Sequence, residues 1–228
     1  MTKVFPIEPT EMFGVAFSDM KRQPLPLLVG AATTLGTYAI ARLAAAHFES
    51  EGLVGVSIVT DLAGLIVASV VALAWYRASL SVARGESAEL LAMLPTPDLI
   101  RTQVIASFWF WAGVFLGARY LAGLLSIAVV VFYGFYGYVV ADRRRRSGLK
   151  ALGESVRLGE GLRVGVFAVT ALFLLLNLAP FIALGFAVNN LTIGISLAGF
   201  LLTATLSVSA GAVLYDSLCE RLDEAEST

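Results

Sequence analysis

Cysteine and histidine are almost absent from this chain of 228 residues. It contains one of each, Cys219 and His47. A single cysteine cannot form a disulfide within the chain, and one cysteine with one histidine cannot supply the ligands of a structural zinc site. The sequence therefore excludes a disulfide-stabilised fold and predicts no metal or other cofactor.

Charged residues are also scarce. They make up 14% of the chain, whereas apolar residues make up 58% and the mean hydropathy is +0.82. Soluble domains carry about 25% charged and roughly 45–50% apolar residues. The formal net charge is −1, so the chain lacks the basic excess that favours nucleic-acid binding. The composition indicates an integral membrane protein with no nucleic-acid partner.

The sequence also lacks the motifs of common hydrolases and phosphotransfer enzymes. It contains no HExxH motif, no phosphate-binding loop and no Asp-rich cluster. Gly194-Ile195-Ser196 matches part of a rhomboid-like protease motif, but no histidine lies in an apolar run to act as the base. The sequence therefore predicts that the protein is not an enzyme.

Long apolar runs dominate what is present. A hydrocarbon core of about 30 Å requires about 20 helical residues. The runs predict transmembrane helices at about 25–46, 53–76, 99–116, 122–140, 163–187 and 191–215. The third and fourth are separated by a turn predicted at GARYLAG, residues 117–123, and the last two by Asn189 and Asn190. The expected fold is all-α, a polytopic six-helix membrane bundle of three hairpins.

A short amphipathic segment precedes each predicted hairpin. We expect helices in the membrane interface at about 10–21, 87–94 and 147–159. Thr10 is the predicted N-cap of the first, and Ser147 of the third. Leu149, Leu152 and Val156 share one face of the third segment. The repetition indicates three copies of one plan, although interfacial helices are also common beside short loops.

Lysine and arginine are distributed unequally between the two sides of this arrangement. Fourteen of the 16 lie on the side of both termini, which leaves only Arg42 and Arg119 on the other. Because basic loops remain in the cytoplasm, both termini are predicted to be cytoplasmic, in a prokaryotic cell membrane. The highest local concentration of basic residues is a run of four arginines, Arg143, Arg144, Arg145 and Arg146. It serves as a topology anchor, and such runs also hold anionic lipid head groups.

This basic run belongs to a longer recognisable stretch, FYGFYGYVVADRRRRSGLKALGESVRLGEGLRVGVFAVTALFL. An aromatic helix end is followed by the basic loop, by a helix with Ala151, Leu152 and Ser155, and by the next crossing. It resembles a signature of uncharacterised six-helix integral membrane families, including the membrane domain attached to some glycerophosphoryl diester phosphodiesterases. The match covers about residues 120–180. The resemblance implies a fold and a membrane location, and it carries over no catalytic residue.

Three polar residues are predicted to lie inside the apolar runs. Asp61 and Arg42 both fall toward the outer side of the first hairpin, where an ion pair is suited to a proton or ion relay. Alternatively, Thr60 and Asp61 cap a helix that starts after them. Asn177 lies three residues before Pro180, whose missing N–H predicts a kink. Asn177 either opens a polar spot at mid-membrane or forms a hydrogen bond between helices.

The third predicted crossing carries two tryptophans and two closely spaced glycines. Trp109 and Trp111 are too deep for an interfacial aromatic belt. Gly113 and Gly117 form a GxxxG pattern, which allows helices to approach closely. These four residues are candidates for contact with lipid or a partner, with ordinary packing as the alternative.

Two functions remain open at this level. The first is a non-enzymatic accessory or structural subunit, a scaffold in contact with membrane lipids and with another membrane protein or a second copy. The second is a small-molecule or ion transporter, a permease that uses Asp61, Arg42 and Asn177. Because polar residues inside the runs are so few, the sequence favours the first.

Overall fold

The structure is a computed structural model that describes residues 5–89, 93–120, 123–142 and 147–227. Within these ranges every regular element is helical, and the protein is an all-α helical bundle. The helices in chain order are α1 (Pro9–Arg22), α2 (Pro24–Ser50), α3 (Val54–Ala83), α4 (Pro97–Tyr120), α5 (Leu124–Tyr133), α6 (Tyr136–Ala141), α7 (Gly148–Leu158), α8 (Arg163–Leu178), a 3₁₀ helix (Ala179–Gly185) and α9 (Asn190–Ser227).

Six segments of the described chain are long and apolar enough to cross a membrane. Their bounds are Pro24–Ser50, Val54–Ala83, Pro97–Ala118, Leu124–Ala141, Arg163–Gly185 and Asn190–Ala225. They pair as hairpin 1 (α2 and α3), hairpin 2 (α4 with α5 and α6) and hairpin 3 (α8 and the 3₁₀ helix with α9). The predicted architecture of six apolar helices in three hairpins is confirmed.

The turns between paired helices lie where the sequence predicted them. Gly123 has φ +82°, a conformation that glycine adopts without strain, and its N–H donates to the Gly117 carbonyl at 3.1 Å. Asn189 caps α9, because its Oδ1 accepts from the N–H groups of Leu191 and Thr192, both at 3.0 Å. These groups stabilise the hairpin ends through local hydrogen bonds.

Helix α1 differs from its prediction in two respects, the residue at its N-cap and its burial in the bundle. It begins at Pro9 with Glu8 in the N-cap position, so the predicted Thr10 cap is wrong. Proline favours the first helical position because its fixed φ suits the helix. Met12 is fully buried, and the Phe13 ring meets the edge of Phe173 at 5.7 Å between centroids. The helix therefore packs into the bundle, chiefly against α9.

The other two predicted interfacial helices have different outcomes. Of the 87–94 segment, residues 90–92 lie outside the described chain, and its described residues are not helical. Helix α7 follows Ser147, as predicted, but the apolar face assigned to it is partly wrong. Leu149 is exposed, whereas Ala151 and Leu158 are fully buried, because α7 packs against α4 and α6 rather than lying on the surface.

Two crossings are interrupted. The second helical segment of hairpin 2 is interrupted at Gly134 and Phe135, between α5 and α6. In hairpin 3 the predicted kink near Pro180 takes the form of a change from α to 3₁₀ geometry at Ala179. Gly199 of α9 leaves the space that the Pro180 ring fills.

Candidate functional site

One end of the bundle carries Arg22, Arg84 and Arg163, and we call it the basic end. Arg84 follows the last residue of α3, and its guanidinium donates to Asp142 at 2.7 Å and to Asp216 at 2.7 Å. The hydrogen bond with Asp142 and, to a smaller extent, the one with Asp216 raise the pKa of Arg84 above its ordinary value. Because Arg84, Asp142 and Asp216 come from hairpins 1, 2 and 3 respectively, this clamp joins all three.

A stack of tyrosines continues the clamp into the bundle. Tyr215 donates its hydroxyl to Asp142 at 3.1 Å, and its ring stacks on Tyr138 at 5.7 Å between centroids. Tyr138 meets the edge of Tyr76 at 4.8 Å and donates to the Val208 carbonyl at 2.7 Å. Each hairpin again contributes one member. The basic end is therefore held by both charge and aromatic packing.

A second polar cluster lies between hairpins 1 and 2, and of its residues the sequence had singled out Trp111 alone. Trp111 donates its indole N–H to the Ser69 hydroxyl at 2.9 Å, and Gln103 donates to the Ser69 carbonyl at 3.0 Å. Tyr136 approaches the same hydroxyl at 3.4 Å. Gln103 and Ser69 are buried. The Gln103 amide inside an apolar run was the sequence signal that could have predicted this cluster. Its hydrogen bonds between helices indicate a packing role.

The four residues proposed for contact with a partner or lipid divide between two faces. Trp109 lies on the outer surface with 55% of its area exposed. Trp111 points inward to Ser69, as described above. Gly113 faces Val129, and Gly117 faces Ser126, so both glycines allow α4 to approach α5 within hairpin 2. Of the four, Trp109 is the one on the outer face.

The predicted partnership between Arg42 and Asp61 is not formed. Among the described residues, Arg42 pairs with Glu49 at 3.8 Å, two turns further along the same helix. Asp61 lies near Tyr38, and its Oδ1 is buried without a hydrogen-bond partner in the described chain. Helix α3 already begins at Val54, so the alternative in which Asp61 caps a helix is also wrong.

Asn177 occupies the predicted deep position and contacts a second helix. It lies 14 residues after the start of α8, which corresponds to about 21 Å along the helix. Its Nδ2 donates to the Phe173 carbonyl at 2.8 Å and to the Ser207 hydroxyl of α9 at 2.9 Å. Its Oδ1 is buried and finds no hydrogen-bond partner among the described residues. The amide therefore links α8 to α9 and retains a free acceptor.

Asn177 also lines a partly open cavity, which we call the slot. The slot has a volume of about 270 Å³ and lies between hairpins 2 and 3. Its walls are Tyr76, Val130, Gly134, Phe135, Tyr138, Val166, Val169, Thr170, Phe173, Asn177, Ser207, Val208, Gly211 and Leu214. Neither Asp61 nor Arg42 is among them. The three polar residues named from the sequence therefore do not form one site.

Hairpin 3 is exposed at the end opposite the clamp. Residues 179–200, which we call the hairpin 3 arm, contain one buried residue in this fully described stretch, Ser196, which donates to the Pro180 carbonyl at 2.9 Å. Phe186 is 88% exposed, and a side chain added at Gly194 would meet open space. Within the arm the Phe181 and Phe200 rings pack on each other at 5.3 Å between centroids, whereas Ile182, Phe186 and Leu191 are exposed.

The four arginines Arg143, Arg144, Arg145 and Arg146 lie outside the described residues. Within the described ranges, no group of three or more His, Cys, Asp or Glu side chains is arranged to hold a metal ion. The lipid-binding role of the arginine run stays a prediction.

No family model, curated protein or solved structure matches this chain. The resemblance to the membrane domain of glycerophosphoryl diester phosphodiesterases is therefore neither supported nor opposed by a relative, and it stays a prediction. The geometry of the chain itself provides the arguments for function.

Proposed function

We propose that this protein is a non-enzymatic accessory subunit of the cell membrane that binds another membrane-spanning protein, or a second copy of itself, through the hairpin 3 arm. The observation that carries the proposal is the exposure of the arm. Throughout residues 179–200 only Ser196 is buried, and that residue bonds within the arm.

The contrast between the two ends of hairpin 3 supports this function. At the basic end the hairpin is joined to its neighbours through Asp216 and Tyr215. At the other end, Gly194 and Gly185 leave the arm open to close approach by another helix. A hairpin anchored at one end and open at the other is suited to contact with a second membrane protein.

We further propose that both termini are cytoplasmic, because the basic end then faces the cytoplasm as the positive-inside rule requires. The arm would face outward. Membrane lipid covers the remaining apolar surface, including Trp109 on α4.

Site-specific photo-crosslinking in intact membranes tests the proposed contact. A photoreactive residue replaces Ile195 on the arm, which is 54% exposed, and Leu43 on hairpin 1, which is 73% exposed, serves as the matched control. We expect one discrete protein adduct from position 195 and none from position 43. Lipid adducts alone at both positions would contradict the proposal.

Transport is the second candidate, and a specific observation favours it. Asp61 and Asn177 each keep a buried oxygen without a partner in the described chain, and unpaired polar groups in apolar runs are typical of transport paths. The separation of the slot from Asp61 and Arg42 weakens it. Proton or ion flux into proteoliposomes that is lost in Asp61→Asn would favour transport over the accessory role. The flux should be retained in the control Thr37→Val, because the Thr37 hydroxyl of α2 is already bonded to the Thr33 carbonyl at 2.7 Å.

A further inference from the structure

We propose that the slot holds one acyl chain of a membrane phospholipid, which enters sideways between α5 and α8. The site lies apart from the hairpin 3 arm, so it does not depend on the function proposed above. It is filled from the bilayer itself and requires no partner protein.

Helix α8 is fastened to its neighbours at two points. Near its start, the Arg163 guanidinium lies 4.2 Å from the centre of the Phe132 ring of α5. Near its end, Asn177 donates to the Ser207 hydroxyl of α9 at 2.9 Å. The structure describes every residue of this helix, and only two of them are buried. The slot occupies the space that this sparse packing leaves.

The exposure of the lining residues indicates where the slot is open. Gly134, just after the end of α5, is exposed, and Val130 of α5 and Thr170 of α8 are only partly buried. The opposite wall is closed, since Gly211 and Leu214 of α9 are buried. The mouth therefore lies between α5 and α8. Both helices belong to apolar segments long enough to cross a membrane, so the mouth meets the hydrocarbon of the bilayer.

The walls of the slot suit a hydrocarbon chain. The described residues that line it include no charged side chain, and most of them are apolar or aromatic. Two of the polar ones are bonded within the protein, Tyr138 to the Val208 carbonyl and Asn177 to Ser207. Apolar cavities stay free of water and take up apolar guests. Because membrane helices associate through close packing, a chain in the gap supplies the van der Waals contacts that an empty gap lacks.

The dimensions of the slot match a single chain. On α8 its lining runs from Val166 to Asn177, which corresponds to about 16 Å along the helix axis. One leaflet of a hydrocarbon core of about 30 Å is about 15 Å deep. The volume of about 270 Å³ holds about eleven carbon atoms, by comparison with the cavity of about 150 Å³ that binds benzene. About eleven carbons over this length lie in single file, so the space fits one extended chain rather than fused rings.

The depth of the slot indicates which leaflet supplies the chain. Helix α8 starts at Arg163, at the basic end, and the lining starts at Val166, about 5 Å further along the helix. The lining ends at Asn177, just beyond the middle of the segment Arg163–Gly185. The chain therefore descends from the leaflet on the basic side, with its head group at the level of Arg163.

Photo-crosslinking to a retained lipid tests the proposal. The full chain is reconstituted with phosphatidylcholine that carries a diazirine in mid-chain, extracted in mild detergent, and irradiated only after extraction. The zwitterionic head group keeps attraction to the arginine run out of the result. We expect adducts at Thr170 and Val130 severalfold above those at Leu174, which is 60% exposed on α8 outside the slot. Equal yields at the three positions, or no adducts at all, would overturn the proposal.

Two variants of α8 assign the lipid to the slot. Thr170→Phe fills the slot, and it should remove both the adduct at Val130 and the phospholipid that native mass spectrometry detects on the unaltered chain. Ala168→Phe adds the same ring at an exposed position outside the slot and should retain both. A phospholipid that stays bound to Thr170→Phe would overturn the assignment. Thermal unfolding reports whether that variant is folded, and Thr170→Leu, with a smaller side chain, provides the same test if the ring is not tolerated.

Discussion

Arg84 lies at the point where the three hairpins converge. Its partners are 58 and 132 residues away along the chain, at Asp142 and Asp216. Counting basic residues assigns Arg84 to one side of the membrane, because side preference is a property of the residue and its neighbours in sequence. Its two carboxylate partners cannot be predicted in this way, since they depend on how separate hairpins pack.

Replacing Arg84 should weaken the association of the hairpins. The guanidinium is partly exposed, so the effect should lie between those of surface and buried ion pairs, about 1–2 kcal/mol of unfolding free energy for Arg84→Gln. Arg84→Lys should retain part of the stability, because it keeps the charge and loses the forked geometry. Denaturation in mild detergent measures both.

Lys150→Gln serves as the control, since Lys150 is an exposed cation of α7. We expect no measurable change for it. Equal stability of Arg84→Gln and Lys150→Gln would show that the clamp contributes nothing to folding.

At the scale of elements, helix α7 stabilises a broken crossing. The Phe135 N–H at the break between α5 and α6 donates to the Ser155 hydroxyl at 3.1 Å, and that hydroxyl donates to the Phe132 carbonyl at 3.2 Å. Ala151 and Leu152 are buried on the same helix. The sequence marked these three residues as a recognisable pattern, but only the packing of α7 under hairpin 2 gives Ser155 a role.

Removing the Ser155 hydroxyl should destabilise the protein through this break. Ser155→Ala leaves a buried backbone N–H without an acceptor, which costs about 1–3 kcal/mol. Thermal unfolding in detergent should therefore shift to lower temperature. Ser147→Ala is the matched control, because Ser147 is exposed and makes no side-chain capping bond. Identical unfolding of the two variants would refute this role of Ser155.

At the scale of the whole molecule, the six apolar helices and the distribution of basic residues together support the orientation proposed above. Cysteine labelling tests it in a Cys219→Ala background. Glu49→Cys, Arg119→Cys and Asn189→Cys should react with an impermeant reagent added outside intact cells, and Arg145→Cys should react only after the cells are opened. The reverse pattern would invert the proposed orientation, and with it the side on which the hairpin 3 arm is accessible.

The sequence by itself determined the number and order of the apolar helices, the hairpin turns and the depth of Asn177. These are local properties, because each crossing satisfies its own backbone hydrogen bonds and is long enough without help from the others. The tertiary structure alone decided that Arg42 pairs with Glu49, that Arg84 joins three hairpins, and that Asn177 lines a slot without Asp61. Such contacts depend on which helix faces meet, and where nearly every face is apolar the sequence pattern does not distinguish one face from another.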